Sequence, residues 1–140
     1  MKTLEEYEEL IRQWGESKGI YAQSTWQKQL EKWGSERAEL LYAETDKERM
    51  DAFGDQYVCL VHVRNMYDEI IKGESRVYAF AHSEDVEIAI MWRDFDGALR
   101  EIGDLAELYG YEIIECVDMA VTTIFKRTGK MVNGIFEKDA

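Results

Sequence analysis

Apolar residues recur every three to four positions along most of this chain, which is the spacing of one face of an α-helix. Four such stretches begin just after a Ser or Thr that can cap a helix: Thr3, Ser24 or Thr25, Thr45 and Ser83. Thr3 and Thr45 are each followed three positions later by Glu, as in a capping box. Proline is absent from all 140 residues, so no proline ring interrupts these stretches. The sequence therefore predicts an all-α fold, with residues 1–140 forming a single domain.

The periodic stretches predict a bundle of about four to five helices. Their expected bounds are 4–17, about 26–41, 46 to near 73, 83 to near 110, and a last helix that ends near 127. Gly97 and Gly103 are the expected breaks in the fourth stretch. Residues 74–82 favour a loop or a short strand, and the chain after Thr128 is turn-rich and then apolar.

The charge of the chain limits its partners. A formal net charge of −12 repels nucleic-acid phosphates and anionic membrane surfaces, so we expect neither as a partner. A small anion can still bind where a metal ion and nearby lysines invert the local field. No apolar run approaches the length of a membrane span. The two cysteines, Cys59 and Cys116, lie in apolar stretches and are expected to be buried thiols of a cytoplasmic protein.

Two pairs of acidic residues have helical spacing. Glu36 and Glu39 are three positions apart, and Asp51 and Asp55 are four apart in the next stretch. Both spacings place side chains on one face of a helix, so neighbouring helices can direct these carboxylates at one cation. Oxygen ligands of this kind suit Mg²⁺ or Mn²⁺, which often bind together with phosphate groups. A chain with 29 acidic residues forms many such pairs without any metal site. The alternative is therefore that these acids lie on ordinary solvated helix faces.

The acidic motifs resemble those of the MazG-like nucleotide pyrophosphohydrolases, in particular their small phage-type members. That all-α family has Glu-Glu-x-x-Glu on one helix and Glu-x-x-Asp, often ending in Gly-Asp, on the next. The corresponding segments here are Ser35-Glu36-Arg37-Ala38-Glu39 and Asp51-Ala52-Phe53-Gly54-Asp55. Ser35 and Ala52 depart from the pattern; either Asp51 or water would take the place of the ligand missing at Ala52. The N-terminal segment around Ile11–Trp14 and the basic segment 126–134 also resemble the family, whereas residues 66–100 have no counterpart and form an expected insertion.

The resemblance implies a hydrolase that cleaves nucleoside triphosphates, deoxy forms above all, between the α and β phosphates. It implies Mg²⁺ or Mn²⁺ as cofactor and a homodimer or homotetramer as the assembly. The implied metal ligands are Glu36, Glu39, Asp51 and Asp55, with Glu39 as the general base. The candidate phosphate-binding residues are Lys32, Lys126 and Lys130, and the candidates for the base or sugar are Trp14, His62 and Asn133.

These assignments have alternatives that the sequence leaves open. Trp14 and His62 lie on apolar faces, where core packing is the common role of such residues. Lys126 and Lys130 follow a helix C-terminus, where cations are favoured without any substrate. For the whole chain, the alternative to an enzyme is an acidic interaction protein with a degenerate metal motif, for example a decoy that occupies a nucleic-acid-binding partner. A third hypothesis is a pyrophosphatase that acts on a modified nucleotide.

Overall fold

The computed structural model describes residues 2–71 and 85–139. In this part of the chain the fold is all-α, as predicted, with five longer helices, two short ones and one β-hairpin. The elements are α1 Leu4–Lys18, α2 Ile20–Gln23, α3 Trp26–Tyr42, α4 Asp46–Ile70, α5 Val86–Met91, α6 Phe95–Leu108, α7 Ile113–Ile124, β1 Gly129–Val132 and β2 Ile135–Lys138. None of the described helices is long and apolar enough to cross a membrane.

The first three long helices begin at the caps that the sequence predicts. The hydroxyls of Thr3, Thr25 and Thr45 accept hydrogen bonds from the backbone N–H groups three residues later, at the start of α1, α3 and α4. Each hydroxyl satisfies one of the N–H groups that a helix start leaves unpaired, which fixes where the helix begins.

Helix α4 forms the centre of the bundle. Residues 56–63 are buried around the whole circumference of the helix, and α1, α3, α6 and α7 all pack against it. The contact between α3 and α4 is the most extensive of any described pair of elements. Since the predicted acidic pairs lie on these two helices, this contact decides how close the carboxylates come.

The breaks predicted at Gly97 and Gly103 in the stretch from 83 to near 110 are wrong in position. Helix α5 ends at Met91, and Arg93, two residues later, has a φ of 59° that no helix adopts. Asp94 then caps α6 by accepting a hydrogen bond from the N–H of Gly97 at 2.9 Å. Gly97 and Gly103, the expected breaks, therefore lie inside α6. The expected start at Ser83, the expected end at Gly73 and the segment 74–82 fall outside the described residues.

The C-terminal segment forms an antiparallel hairpin that the sequence analysis did not predict. Asn133 and Gly134, the two residues between β1 and β2, have φ values of 50° and 82°. Two positive φ angles favour the tight turn whose twist matches that of paired strands. The hairpin places Phe136 against the ring of Trp14, with ring centroids 5.2 Å apart and an edge-on geometry. Helix α7 accordingly ends at Ile124, short of the predicted end near Arg127.

Candidate metal centre

Three of the four predicted metal ligands come together. Glu36 and Glu39 lie one turn apart on α3, and Asp55 faces them from α4. One carboxylate oxygen from each residue lies within 4.8 Å of the other two. We call these residues the three-acid centre. Glu36 and Asp55 are half-buried and Glu39 is exposed, so the centre opens to solvent on one side.

Burial and neighbouring negative charges raise the pKa values of Glu36 and Asp55. Burial, followed by the charges of Asp55 and Glu39, raises the pKa of Glu36 to about 7. Burial also raises the pKa of Asp55 to about 6; the charges of Asp51 and Glu39 add to this effect, and Arg127 and Lys32 oppose it. Oε2 of Glu36 is buried and has no hydrogen-bond partner among the described residues. Both features are unfavourable for the protein alone, and a cation among the carboxylates would offset them.

The donor set suits a hard divalent cation. All three groups offer carboxylate oxygens, which are the ligands preferred by Mg²⁺ and Mn²⁺. The exposed side of the centre leaves positions for water or for substrate oxygens, which Mg²⁺ commonly retains. The unpaired oxygen of Glu36, the proximity of the oxygens and the raised pKa values therefore fit a Mg²⁺ or Mn²⁺ site.

Two cations lie in the cleft beside the acids. Lys32, one turn before Glu36 on α3, and Arg127, just beyond α7, line this cleft together with Glu36 and Asp55. The charges of both cations lower the pKa of Asp55 and so reach into the centre. Acids and cations in one cleft can bind a metal ion and the phosphate oxygens that the metal attracts.

Gly54 allows α7 to approach the centre. A Cβ atom at this position would collide with the carbonyl oxygen of Cys116 on α7 and would lie 3.0 Å from the Cβ of Ala120. Without a side chain at 54, α7 lies directly against α4 next to Asp55. The glycine that precedes Asp55 in the motif thus has a packing role, because it places the end of α7, and therefore Arg127, beside the acids.

Trp14 and His62 close the inner end of the cleft. Nδ1 of His62 lies 2.8 Å from the hydroxyl of Tyr21, which also accepts a hydrogen bond from the side-chain amide of Asn65 at 3.1 Å. Burial lowers the pKa of His62 to about 3, so the imidazole is neutral. Both Trp14 and His62 are core residues with exposed fractions of 5% or less. The cleft has a volume of about 20 Å³, which is room for one water molecule and too little for a nucleobase in this conformation.

The other predicted site residues lie elsewhere. Asp51 forms an ion pair with Lys47 at 3.0 Å and is not one of the three converging acids, although its charge raises the pKa of Asp55. Lys126 is exposed, and Lys130 lies on β1 opposite Glu137. The carbonyl oxygen of Asn133 accepts a hydrogen bond from Nζ of Lys28 at 2.5 Å. Neither Lys126 nor Lys130 lies on α7, because this helix ends at Ile124.

Arg127 was not among the site residues predicted from the sequence. The buried stripe of α7 contains Val117, Val121 and Ile124, and a step of three residues continues it to 127. This spacing indicates that Arg127 lies on the buried side of the chain after α7, whereas Lys126 lies off the stripe. Ala52, where the resemblance expects a metal-binding Glu, is 1% exposed, so α4 packs this position into the core.

Comparisons of the chain with models of protein families, with curated proteins and with solved structures find no match.

Proposed function

We propose that the protein is a Mg²⁺-dependent nucleoside triphosphate pyrophosphohydrolase that cleaves between the α and β phosphates. One observation supports this most: Glu36 and Asp55 of the three-acid centre line one cleft together with Lys32 and Arg127. Carboxylates and cations in one cleft suit a substrate that brings both a metal-binding oxygen and further negative charge. The resemblance of the acidic motifs to MazG-like enzymes supplies the specific reaction, with deoxynucleoside triphosphates as the proposed substrates.

In this proposal, Glu36, Glu39 and Asp55 hold the metal ion. Bound Mg²⁺ or Mn²⁺ supplies charge neutralisation at the phosphates and lowers the pKa of a coordinated water. Lys32 and Arg127 bind phosphate oxygens, and they favour the pyrophosphate leaving group as its negative charge grows. Glu39 is the exposed acid of the centre and is the proposed general base that orients the attacking water. A cytoplasmic setting suits a nucleotide substrate and the two free, buried cysteines.

The test is a pyrophosphate-release assay with each common nucleoside and deoxynucleoside triphosphate, in Mg²⁺ and in Mn²⁺. We expect monophosphate and pyrophosphate to be the only products, and ³¹P NMR identifies them. Glu36→Gln and Asp55→Asn should each reduce turnover by tenfold or more, about 1.4 kcal/mol in the barrier. Glu31→Gln is the matched control, because Glu31 is an exposed acid on α3 outside the three-acid centre. Accumulation of diphosphate, or no turnover of any nucleotide, would reject the proposal.

The second candidate function is a non-enzymatic acidic interaction protein. Two observations favour it. The net charge is −12, and position 52, where the family motif has a metal-binding Glu, is a buried alanine. This candidate predicts binding of a basic protein partner that persists in EDTA, without any pyrophosphate release. The assay above therefore separates the two functions directly.

A further inference from the structure

A second cavity, of about 200 Å³, lies between α3, α4, α5 and α6. None of its lining residues lines the cleft of the three-acid centre. Most of its wall is apolar and includes Leu40, Ile102, Leu105 and Tyr109. We call this cavity the α3–α6 slot.

Two residues that line the slot each carry a buried N–H donor without a hydrogen-bond partner among the described residues. Nε1 of Trp33 and Nε2 of Gln56 are closed to solvent and have no hydrogen-bond partner in the described part of the chain. Gln56 is 1% exposed and Trp33 is 8% exposed. Native proteins pair nearly all such groups, because an unpaired buried donor loses its bonds to water without replacement. Two unpaired donors in the wall of one apolar cavity point to a ligand that supplies an acceptor.

The slot carries no net charge. Arg37 and Glu87 also line it and form an ion pair with each other, so their charges are already matched. A charged ligand would lose its hydration without gaining an opposite charge, which disfavours a nucleoside triphosphate in this cavity. The volume lies below the roughly 300–1,000 Å³ of sites for drug-sized ligands and suits a molecule of one or two rings.

We propose that the α3–α6 slot binds a small neutral heterocycle, of nucleobase size, whose carbonyl oxygen accepts hydrogen bonds from Trp33 and Gln56. The apolar wall buries the ring, and the two N–H groups select for the carbonyl. Entry requires neighbouring side chains to shift, since both nitrogen atoms are closed to solvent. Leu41 is 70% exposed and the Arg37–Glu87 pair is about half exposed, so these slot residues are able to move. An apolar side chain from a second copy would fill the slot but leave both donors unpaired.

The experiment is a ¹H–¹⁵N NMR titration of the full chain in EDTA, without nucleotide, so its result does not depend on the proposed hydrolase activity. The probe is N-methyl-2-pyridone, a neutral ring with a carbonyl acceptor. o-Xylene is the matched control, because it has nearly the same shape and no acceptor. Trp33→Phe assigns the indole signal of Trp33, and the indole signal of Trp14, also unpaired but in the other cleft, is the internal control.

We expect the pyridone to move the indole N–H signal of Trp33 and the side-chain amide signal of Gln56 and to leave Trp14 unchanged. o-Xylene should bind more weakly and leave the indole N–H shift unaltered. Gln56→Leu should weaken pyridone binding by roughly threefold to tenfold, the effect of one lost hydrogen bond. Gln56→Met, which keeps the length of the side chain and removes the amide donor, is the second variant if Gln56→Leu does not fold.

Three results would each overturn the proposal. The first is an unmoved Trp33 signal up to millimolar pyridone. The second is equal binding of o-xylene, which would make the slot merely apolar. The third is a Trp33 indole signal that shifts on dilution of the protein alone, which would show that a second copy fills the slot.

Discussion

At the scale of single residues, Glu36 has the least favourable environment of the three acids when no metal ion is bound. Its side chain is half-buried, one carboxylate oxygen has no hydrogen-bond partner among the described residues, and burial raises its pKa to about 7. Glu36→Gln keeps the size of the side chain and removes the charge, so we expect Mn²⁺ affinity to fall tenfold or more while the metal-free fold keeps or gains stability. Calorimetry and urea unfolding measure the two quantities. Glu31→Gln should change neither, and unchanged Mn²⁺ affinity in Glu36→Gln would remove Glu36 from the site.

The raised pKa values also predict how stability depends on pH. Between the usual carboxyl range near 4 and the folded values of about 6 for Asp55 and 7 for Glu36, the folded state holds more protons than the unfolded state. The contribution of these two groups to the free energy of unfolding in EDTA therefore falls as pH rises from about 4.5 to 7 and then levels off. Urea unfolding at pH 5 and pH 7.5 measures the difference, and Glu36→Gln should reduce it. An equally steep decline in that variant would assign the effect to other groups.

The residues of the site differ in how far the sequence could predict them. Glu36, Glu39 and Asp55 were predictable because helical spacing alone places each on a known face, and two packed helices bring those faces together. Arg127 was not predicted because its position depends on where α7 ends. Asp51 was expected as a ligand from its spacing to Asp55, but the structure pairs it with Lys47 one turn away.

At the scale of elements, the packing of α7 on α4 depends on Gly54. Gly54→Ala adds a Cβ that collides with the backbone of Cys116, so α7 must move. We expect a loss of about 1–3 kcal/mol in the free energy of unfolding, together with weaker substrate binding, since Arg127 moves with α7. Chemical denaturation and the KM of the proposed reaction measure the two effects.

Gly34→Ala is the matched control for this substitution. Gly34 lies within α3, and a Cβ there meets no atom of the described residues within 4 Å. Alanine should therefore stabilise the protein by about 1 kcal/mol through helix propensity alone. If both glycine variants gained stability, the close contact between α4 and α7 would have no energetic importance.

The elements also mark the limit of sequence-based prediction. The starts of α1, α3 and α4 were predictable because each depends on a local hydrogen bond from a threonine hydroxyl. The break at Arg93 was not, because a positive φ at a non-glycine residue depends on the surrounding packing. The hairpin was missed although Asn133-Gly134 between apolar residues is a strong local signal for one.

At the scale of the whole molecule, charge and apolar surface act against each other. The net charge of −12 makes copies of the chain repel one another. Several large apolar side chains are nevertheless more than two-thirds exposed in the single chain: Leu41, Tyr42, Ile70, Met91 and Leu108. Exposed apolar groups in this number favour association, because burial removes them from water. We therefore expect a homo-oligomer, most simply a dimer, as the proposed family assignment also implies.

The opposition between charge and apolar surface gives the oligomer a characteristic salt dependence. Raising the ionic strength shortens the range of the repulsion, to about 10 Å at 0.1 M, and leaves the apolar attraction in place, so the dimer fraction should rise with added NaCl. Light scattering at micromolar protein and several salt concentrations measures this fraction. Ile70→Lys and Leu108→Lys, tested separately, should identify the buried face, since the variant at the interface should shift the equilibrium towards the single chain. The mass of one chain at every salt concentration, in protein that still hydrolyses nucleotide, would show that the active form is a monomer.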